Sequence, residues 1–178
     1  IDAGMHGFTH LYNAMTPMQS RAPGMVGAAL SDERTWFGII ADGFHMHPSA
    51  IKVAVKAKQP GGAILVSDSM ATVGANSSSF ELDGEIIESI NGKCVNKEGI
   101  LAGSDLNMNQ AVKNAVKFAN ISWQEAIRMA SLYPAKAVGI DDTQGSLGNG
   151  YNANFAILDA SLDVKSTWIN GINVYKHN

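Results

Sequence analysis

Apolar runs of strand length alternate with helical spacing along the first two-thirds of the chain. Residues 36–41 form a nearly continuous apolar run, which is typical of a strand buried on both faces of a parallel sheet. Shorter runs at 7–12 and 63–67 predict two further strands. Helical spacing of apolar residues follows at 25–30 and at 48–58. The alternation predicts βα units that build a parallel sheet.

The pattern changes between residues 80 and 101. The turn dipeptides Asp83-Gly84 and Asn91-Gly92 are flanked there by β-forming residues, which predicts an inserted β-hairpin or meander. Helical periodicity returns at 107–118 and 122–133. Three further short strands are predicted near the end of the chain, at 154–158, 166–169 and 173–175.

Three parallel strands do not close an eight-stranded barrel. The chain also opens at Ile1 rather than at a methionine. We therefore expect an α/β chain whose upstream sequence is missing.

Composition excludes several classes of function. The net charge is −3 and no block of Lys or Arg occurs, which argues against nucleic acid or an anionic membrane as partner. The longest apolar runs have strand length and do not reach the length of a membrane span. Cys94 is the single cysteine in the 178 residues, which excludes an internal disulfide framework and fits a cytoplasmic location.

Two residues at the ends of predicted strands have side chains suited to hydrolysis. His10 follows the first strand, where its imidazole is able to ligate a metal ion, although the spacing alone favours a core or loop histidine bonded to backbone. Asp68 ends the third strand and is placed to move protons to and from a water molecule. A turn or N-cap aspartate is the alternative for Asp68. His6 is disfavoured as a second ligand because it lies lower on the same strand.

Further polar groups surround the predicted strand ends. His45 follows the second strand and is a candidate for binding metal, phosphate or substrate. Arg21 is a candidate anion partner because a guanidinium binds phosphate with two hydrogen bonds. The segment Leu101–Ser104 precedes a helix, so its backbone amides are able to face a polar or anionic ligand. Ordinary loop and capping roles remain open for all three.

Several segments in this order resemble the N-acetylglucosamine-6-phosphate deacetylase family of the amidohydrolase superfamily, and they extend over essentially the whole chain as the C-terminal half of such an enzyme. The matching segments are Thr9-His10-Leu11-Tyr12-Asn13-Ala14-Met15, Arg21-Ala22-Pro23-Gly24, Ile39-Ile40-Ala41-Asp42-Gly43-Phe44-His45, Val66-Ser67-Asp68, Leu101-Ala102-Gly103-Ser104 and Ala130-Ser131-Leu132-Tyr133-Pro134-Ala135. The resemblance implies an α/β fold that is the C-terminal portion of a (β/α)8 TIM-type barrel, with the last barrel strands and helices in residues 1–144 and the β-hairpin insertion near 80–101. It also implies strands of a small β-sandwich in 145–178.

The resemblance also implies the site. Asp68 would be the catalytic base and acid, and His10 a ligand of a divalent metal, with zinc favoured and iron, manganese or cobalt compatible. Arg21 and His45 would bind the phosphate of the sugar. The remaining implied substrate contacts are Asn13, Ala14, Asp42, Gly43, Phe44, Leu101, Ala102 and Gly103. The other metal ligands of the family, a glutamate and a histidine, belong to upstream strands.

The implied function is metal-dependent hydrolysis of the acetamide of N-acetyl-D-glucosamine 6-phosphate, giving acetate and glucosamine 6-phosphate. The implied active unit is a homodimer in which Arg21 reaches its own or a neighbouring subunit's site, and the missing N-terminal half is a required partner. Two alternatives stay open: another amidohydrolase of the dihydroorotase or adenine-deaminase type, and a non-catalytic fragment that binds sugar phosphates.

Overall fold

A parallel sheet of three strands forms the first part of the structure, which is a computed structural model and describes residues 1–177. Its strands are β1 (Gly7–Phe8), β2 (Trp36–Ile40) and β3 (Ala63–Val66), in that order across the sheet. Helix α1 (Gly24–Ser31) connects β1 to β2, and α2 (Pro48–Ala57) connects β2 to β3. The predicted βα units are therefore present.

The central strand β2 is buried on both faces, as its continuous apolar run predicts. Phe37 in β2 is aligned with Phe8 of β1 on one side and with Ala63 of β3 on the other. The side chains of Phe37 and Ile39 are fully buried, and so is Ile51 of α2. The main core therefore surrounds the parallel sheet.

A four-stranded antiparallel sheet follows β3. Its strands are β4 (Ser79–Leu82), β5 (Glu85–Ile90), β6 (Lys93–Val95) and β7 (Leu101–Ser104), which pair in sequence order. Asp83 and Asn91 have φ of 51° and 53°, and the glycine after each is also left-handed, as the tight turns of β-hairpins require. The insertion predicted near residues 80–101 is present as this meander.

A partly buried hydrogen-bond network links the meander to the loop that follows β3. The hydroxyls of Thr72 and Ser89 donate to the two carboxylate oxygens of Asp105, at 2.8 and 2.6 Å. Ser104, the last residue of β7, forms an isolated parallel bridge with Ser69 just beyond β3. These contacts place the end of β7 directly beside the end of β3.

Helices follow the meander in a different arrangement from the predicted one. Helix α3 (Met108–Ala115) continues into a π-helical turn (Val116–Asn120), where the sequence predicts a single regular helix. Helix α4 (Trp123–Ala130) is capped at its N-terminus by Ser122, whose hydroxyl accepts a hydrogen bond from the Glu125 amide. The helix is interrupted at Ser131, after which the chain forms α5 (Leu132–Ala137).

A second antiparallel sheet of three strands ends the described chain. It contains β8 (Phe155–Leu158), β9 (Val164–Ile169) and β10 (Ile172–Lys176), with β9 in the centre. Phe155 and Trp168 stack across β8 and β9 with ring centroids 5.7 Å apart. Much of the apolar surface of this sheet is exposed, including the side chains of Ile172 and Val174. Within residues 1–177, no helix combines the length and apolar character that crossing a membrane requires.

Candidate active site

Four side chains from the sequence analysis lie just beyond the carboxyl ends of the three parallel strands. His10 follows β1, Asp42 and His45 follow β2, and Asp68 follows β3. Because the strands are parallel and adjacent, their carboxyl ends share one edge of the sheet. We call these four residues the site cluster.

His10 lies in a turn rather than in a strand, because β1 ends at Phe8 instead of continuing to Tyr12 as predicted. The φ angles of His10, Tyr12 and Ala14 are 35°, 74° and 51°, and such left-handed residues end the extended conformation. The turn is fixed to the sheet by a 2.9 Å hydrogen bond from the Leu11 amide to the Gly38 carbonyl. This bond therefore anchors the turn that contains His10 to β2.

The imidazole of His10 carries a buried nitrogen without a partner. Among residues 1–177, its Nδ1 has no hydrogen bond although the atom is inaccessible to solvent. A buried polar atom of this kind is unusual in a folded protein and fits a group that takes a ligand absent from the chain itself. The same residues contain no group of three His, Cys, Asp or Glu side chains able to hold a metal ion. His10 thus suits one position of a metal site and does not complete one.

Asp42 and His45 form a tight pair. Asp42 Oδ2 and His45 Nδ1 are 2.6 Å apart, while Asp42 Oδ1 accepts hydrogen bonds from the backbone amides of Phe44 and His45 at 2.8 and 2.9 Å. Both side chains are almost completely buried, with exposed fractions of 4% and 8%. The carboxylate therefore fixes both the turn and the orientation of the imidazole, whose Nε2 remains directed elsewhere.

The pairing changes the acid–base behaviour of both groups. The hydrogen bond to Asp42 raises the pKa of His45 above its ordinary value of 6.5, and the charges of Asp42 and Asp68 act in the same direction against the opposing effect of burial. Burial raises the pKa of Asp42, but the hydrogen bonds from His45 and the two amides outweigh it and leave this pKa below 3.8. The pair therefore favours an aspartate anion beside a histidine cation.

Asp68 faces the free nitrogen of His45. Its Oδ2 lies 3.8 Å from His45 Nε2, and its side chain is 43% exposed, so the carboxylate is accessible. The φ of Asp68 is 52°, and its carbonyl accepts a 2.8 Å hydrogen bond from the Ser104 amide. An accessible carboxylate on a fixed backbone next to a cationic imidazole is suited to proton transfer.

The end of β7 approaches the site cluster through a glycine. Gly103 has φ of 124°, a conformation that residues with a side chain rarely adopt, and a Cβ there would lie 2.2 Å from the terminal methyl of Met70, so a larger residue would be strained. Gly103 precedes Ser104, which bonds to the Asp68 carbonyl. The end of β7 at Gly103 and Ser104 therefore lies beside Asp68, whereas Leu101 at its start pairs with Val95 of β6.

The other residues expected to contact substrate differ in their exposure and in their distance from the site cluster. Asn13 donates its side-chain amide to the Leu11 carbonyl at 3.1 Å and stabilises the His10 turn, while Ala14 is exposed. Phe44 is partly exposed, and the Lys93 ammonium of the meander lies 4.8 Å from the centre of its ring. Arg21 is exposed in the loop before α1, and no hydrogen bond or ion pair within residues 1–177 brings it to the site cluster.

Two features of the site escape the sequence reasoning. The side-chain pairing of Asp42 with His45 is one, although aspartate before glycine is a signal for a turn stabilised by its own carboxylate. Asn114 of α3 is the other: its amide donates a 2.7 Å hydrogen bond to the carbonyl of Ala41, immediately before Asp42. No local pattern signals a contact between residues so distant in the sequence.

Known proteins resemble this chain over almost all of its length. It is 41% identical over 171 residues to an N-acetylgalactosamine-6-phosphate deacetylase of Escherichia coli O157:H7, covering 96% of this chain and 45% of that protein. It is 40% identical over 162 residues to a putative N-acetylgalactosamine-6-phosphate deacetylase of Escherichia coli strain K12, covering 91% of this chain and 96% of that protein.

A solved structure of another amino-sugar 6-phosphate deacetylase also resembles this chain. The crystal structure of N-acetylglucosamine-6-phosphate deacetylase from Pasteurella multocida matches with a TM-score of 0.90 and 37% identity, over 96% of this chain and 45% of that one. The chain thus spans about half the length of two of these three relatives. The family model for the amidohydrolase family matches residues 3–174, and the chain belongs to this family.

Proposed function

We propose that this chain is the C-terminal half of a metal-dependent deacetylase that hydrolyses the acetamide of N-acetyl-D-glucosamine 6-phosphate to acetate and glucosamine 6-phosphate. The observation that carries the proposal is the site cluster itself: an accessible Asp68 beside the buried pair of His45 and Asp42. The names of the relatives, all deacetylases of amino-sugar 6-phosphates, support the substrate class.

Asp68 is the proposed catalytic residue. Its carboxylate takes a proton from the attacking water and returns a proton to the leaving amine, a role that requires access to substrate and a fixed position. Its 43% exposed side chain and its backbone bond to Ser104 support both requirements. Leu101, Ala102 and Gly103 line the sugar pocket on this side.

His45 is the proposed binding group for the phosphate, together with Arg21. The raised pKa of His45, caused first by its hydrogen bond to Asp42, favours the cation, which binds an anionic ligand more strongly than the neutral imidazole does. Asp42 contributes by holding His45, since its carboxylate oxygens are already engaged. Asn13, Ala14, Gly43 and Phe44 complete the proposed substrate contacts.

His10 is proposed as one ligand of a divalent metal, most simply zinc, with iron, manganese or cobalt also compatible. Its unpartnered buried Nδ1 supports a ligand role. The bound metal would polarise the acetamide carbonyl and lower the pKa of the attacking water. Because residues 1–177 provide no group of three metal-binding side chains, the full activity requires ligands from further polypeptide.

The proposed architecture has two parts. Residues 1–144 are the last strands and helices of a (β/α)8 barrel, and 145–178 contribute strands to a small β-sandwich. The parallel βα order of β1 to β3 and the separate antiparallel sheet of β8 to β10 support this division. A homodimer is part of the proposal, since the exposed Arg21 is available to a neighbouring subunit, and so is a cytoplasmic location, where the buried free Cys94 stays reduced.

A second candidate substrate is N-acetyl-D-galactosamine 6-phosphate, because the two relatives at 41% and 40% identity bear that name. The two sugars differ in configuration at C4. The ratio of kcat/KM for the two phosphosugars decides between them, and acetate release from neither would contradict both.

The phosphate assignment has its own test. In the full-length protein, Arg21→Ala should raise KM for the phosphorylated sugar by about tenfold, the effect of losing one charge-assisted contact, and should leave KM for free N-acetylglucosamine nearly unchanged. Arg34→Ala is the control, since Arg34 is exposed and paired with Asp2 and Asp32. Equal effects of Arg21→Ala on both sugars would rule out a phosphate contact.

A further inference from the structure

We propose that Asn114 is a positioning residue that holds the Asp42–His45 turn in place. Its Nδ2 donates a 2.7 Å hydrogen bond to the carbonyl of Ala41, which directly precedes Asp42. The two residues are 73 positions apart, so the contact forms only when α3 packs against the end of β2. The inference rests on the proposed function, because that function gives His45 its role.

The Ala41 carbonyl depends on a donor from outside the sheet. Ala41 is fully buried and lies one residue beyond the end of β2, where the ladder of backbone hydrogen bonds has stopped. A buried carbonyl that loses its donor is destabilised and tends to move. The side-chain amide of Asn114 supplies this donor from α3.

The amide of Asn114 is itself oriented by a neighbour. Gln110, one helical turn earlier, donates from Nε2 to Asn114 Oδ1 at 2.8 Å. With Oδ1 accepting from Gln110, Nδ2 is the end of the amide that faces Ala41. The hydrogen-bonded chain from Gln110 through Asn114 to Ala41 therefore has one consistent direction.

The π-helical turn adds an apolar contact to the same loop. It begins at Val116, two residues after Asn114, and its Phe118 ring lies beside Gly43, where a Cβ would be 3.6 Å from Cζ. π-helical turns are rare and occur frequently at functional sites. Helix α3 and this turn thus contact the loop on both sides of Asp42, at Ala41 through a hydrogen bond and at Gly43 through an aromatic ring.

Movement of this loop would reach His45 directly. Asp42 is covalently linked to both contacted residues, and it holds the His45 imidazole with a 2.6 Å hydrogen bond. Displacing Ala41 tilts the Asp42 carboxylate and turns His45 Nε2 away from Asp68, which lies 3.8 Å from it. Small displacements of this kind reduce catalysis strongly when the displaced group must meet a substrate.

The test compares Asn114→Asp with Asn109→Asp in the full-length protein. The first change keeps the shape of the side chain but places a carboxylate oxygen against the Ala41 carbonyl. The second makes the same chemical change on the same helix, at a half-buried residue whose side chain makes no hydrogen bond in the described part of the chain. The readout is the ring Nδ1 proton of His45 in NMR spectra, assigned by its loss in His45→Gln.

The expected result is a shifted or lost His45 ring-proton signal in Asn114→Asp and an unchanged signal in Asn109→Asp. The kcat/KM for the phosphosugar should fall by about 10- to 100-fold only in the first variant. Gln110→Leu, which removes the partner of Asn114 without adding charge, should shift the signal in the same direction by a smaller amount. This variant replaces Asn114→Asp in the test if Asn114→Asp does not fold. An unchanged signal in whichever of these two variants folds would overturn the proposal.

The NMR signal is measured without substrate, which separates this inference from the proposed function. If the wild-type protein released no acetate from either phosphosugar, the proposed function would be wrong. The position of His45 in the variants would still decide whether Asn114 holds it.

Discussion

The parallel sheet and the C-terminal antiparallel sheet differ most in how far their strands are covered. In β2, four of five residues are buried, and Phe37 has no exposed surface. In β10, all five residues are exposed, and Ile172 is 67% exposed. Two sheets of similar size in one chain therefore have very different packing.

The difference matters because the site cluster belongs to the well-covered sheet. Catalytic geometry needs supporting residues whose positions are locked by packing and hydrogen bonds. The core behind β2 and the contacts from α3 and β7 supply that support to Asp42, His45 and Asp68. The C-terminal sheet carries none of the expected site residues.

The largest expected effect is on catalysis at the covered sheet. Asp68→Asn should reduce kcat by about 10²- to 10⁴-fold, because the amide is unable to accept the proton of the attacking water. The temperature of unfolding should stay near that of the wild type, since the Asp68 side chain is exposed and its backbone bond to Ser104 remains. The assay is acetate release by the full-length protein.

Asp83→Asn is the matched control for this change. Asp83 lies in the exposed turn between β4 and β5, where its φ of 51° suits asparagine equally well. Turnover in this variant should be unchanged. If Asp68→Asn retained near-normal turnover, Asp68 would have no part in proton transfer.

The second prediction compares the stability of the two sheets directly. In the 178-residue chain, Phe37→Ala should lower the free energy of unfolding by about 3–5 kcal/mol, because it removes a fully buried aromatic ring and leaves a cavity. Ile172→Ala should change it by no more than about 0.5 kcal/mol, since that side chain is mostly exposed. Urea unfolding followed by circular dichroism measures both.

Similar losses from the two substitutions would contradict the difference in packing. The same pair also tests what covers the C-terminal sheet. If Ile172→Ala became much more damaging in a longer protein that contains this chain, additional polypeptide would be packing on β10 there.

The order of the elements is predictable from the sequence because the covered strands carry strong signals. The run Trp36–Ile40 is continuous and apolar, and the Asp-Gly and Asn-Gly dipeptides mark both hairpin turns of the meander. The length of β1 is not predictable in this way. Apolar residues continue to Tyr12, but His10 has a left-handed φ that ends the strand, and its turn is held both by local hydrogen bonds from Asn13 and by the bond from the Leu11 amide to the Gly38 carbonyl of β2.

The candidate site is predictable only in part. His10, His45 and Asp68 follow predicted strands, so their positions at one edge of the sheet follow from parallel pairing alone. The support of Ala41 by Asn114 depends on how α3 packs after the meander has been inserted, and the π-helical turn beside it has no periodic signature. Such contacts are decided by tertiary packing, which local pattern does not contain.

The smallest of these effects concerns the charge of His45. Asp42→Asn keeps the shape of the side chain but removes the anion whose hydrogen bond raises the pKa of His45, so this pKa should fall toward 6.5. In the wild type, His45 stays cationic from low pH up to its raised pKa. In the variant, the cation is lost at a lower pH. Between these two pKa values, KM for the phosphosugar should be about tenfold higher in the variant, equivalent to ~1.4 kcal/mol of lost binding.

The sign of the effect on stability is fixed by the same shift. Because the folded-state pKa of His45 is raised, its contribution to folding is complete below pH 6.5 and is lost as the pH rises through the folded-state value. Asp42→Asn should therefore flatten the dependence of unfolding free energy on pH in that window. Asp2→Asn, a change at an exposed aspartate that pairs with Arg34, should leave both profiles in place. A profile of KM against pH that is identical in Asp42→Asn and the wild type would mean that Asp42 does not control the charge of His45, and that its buried carboxylate serves only to shape the turn.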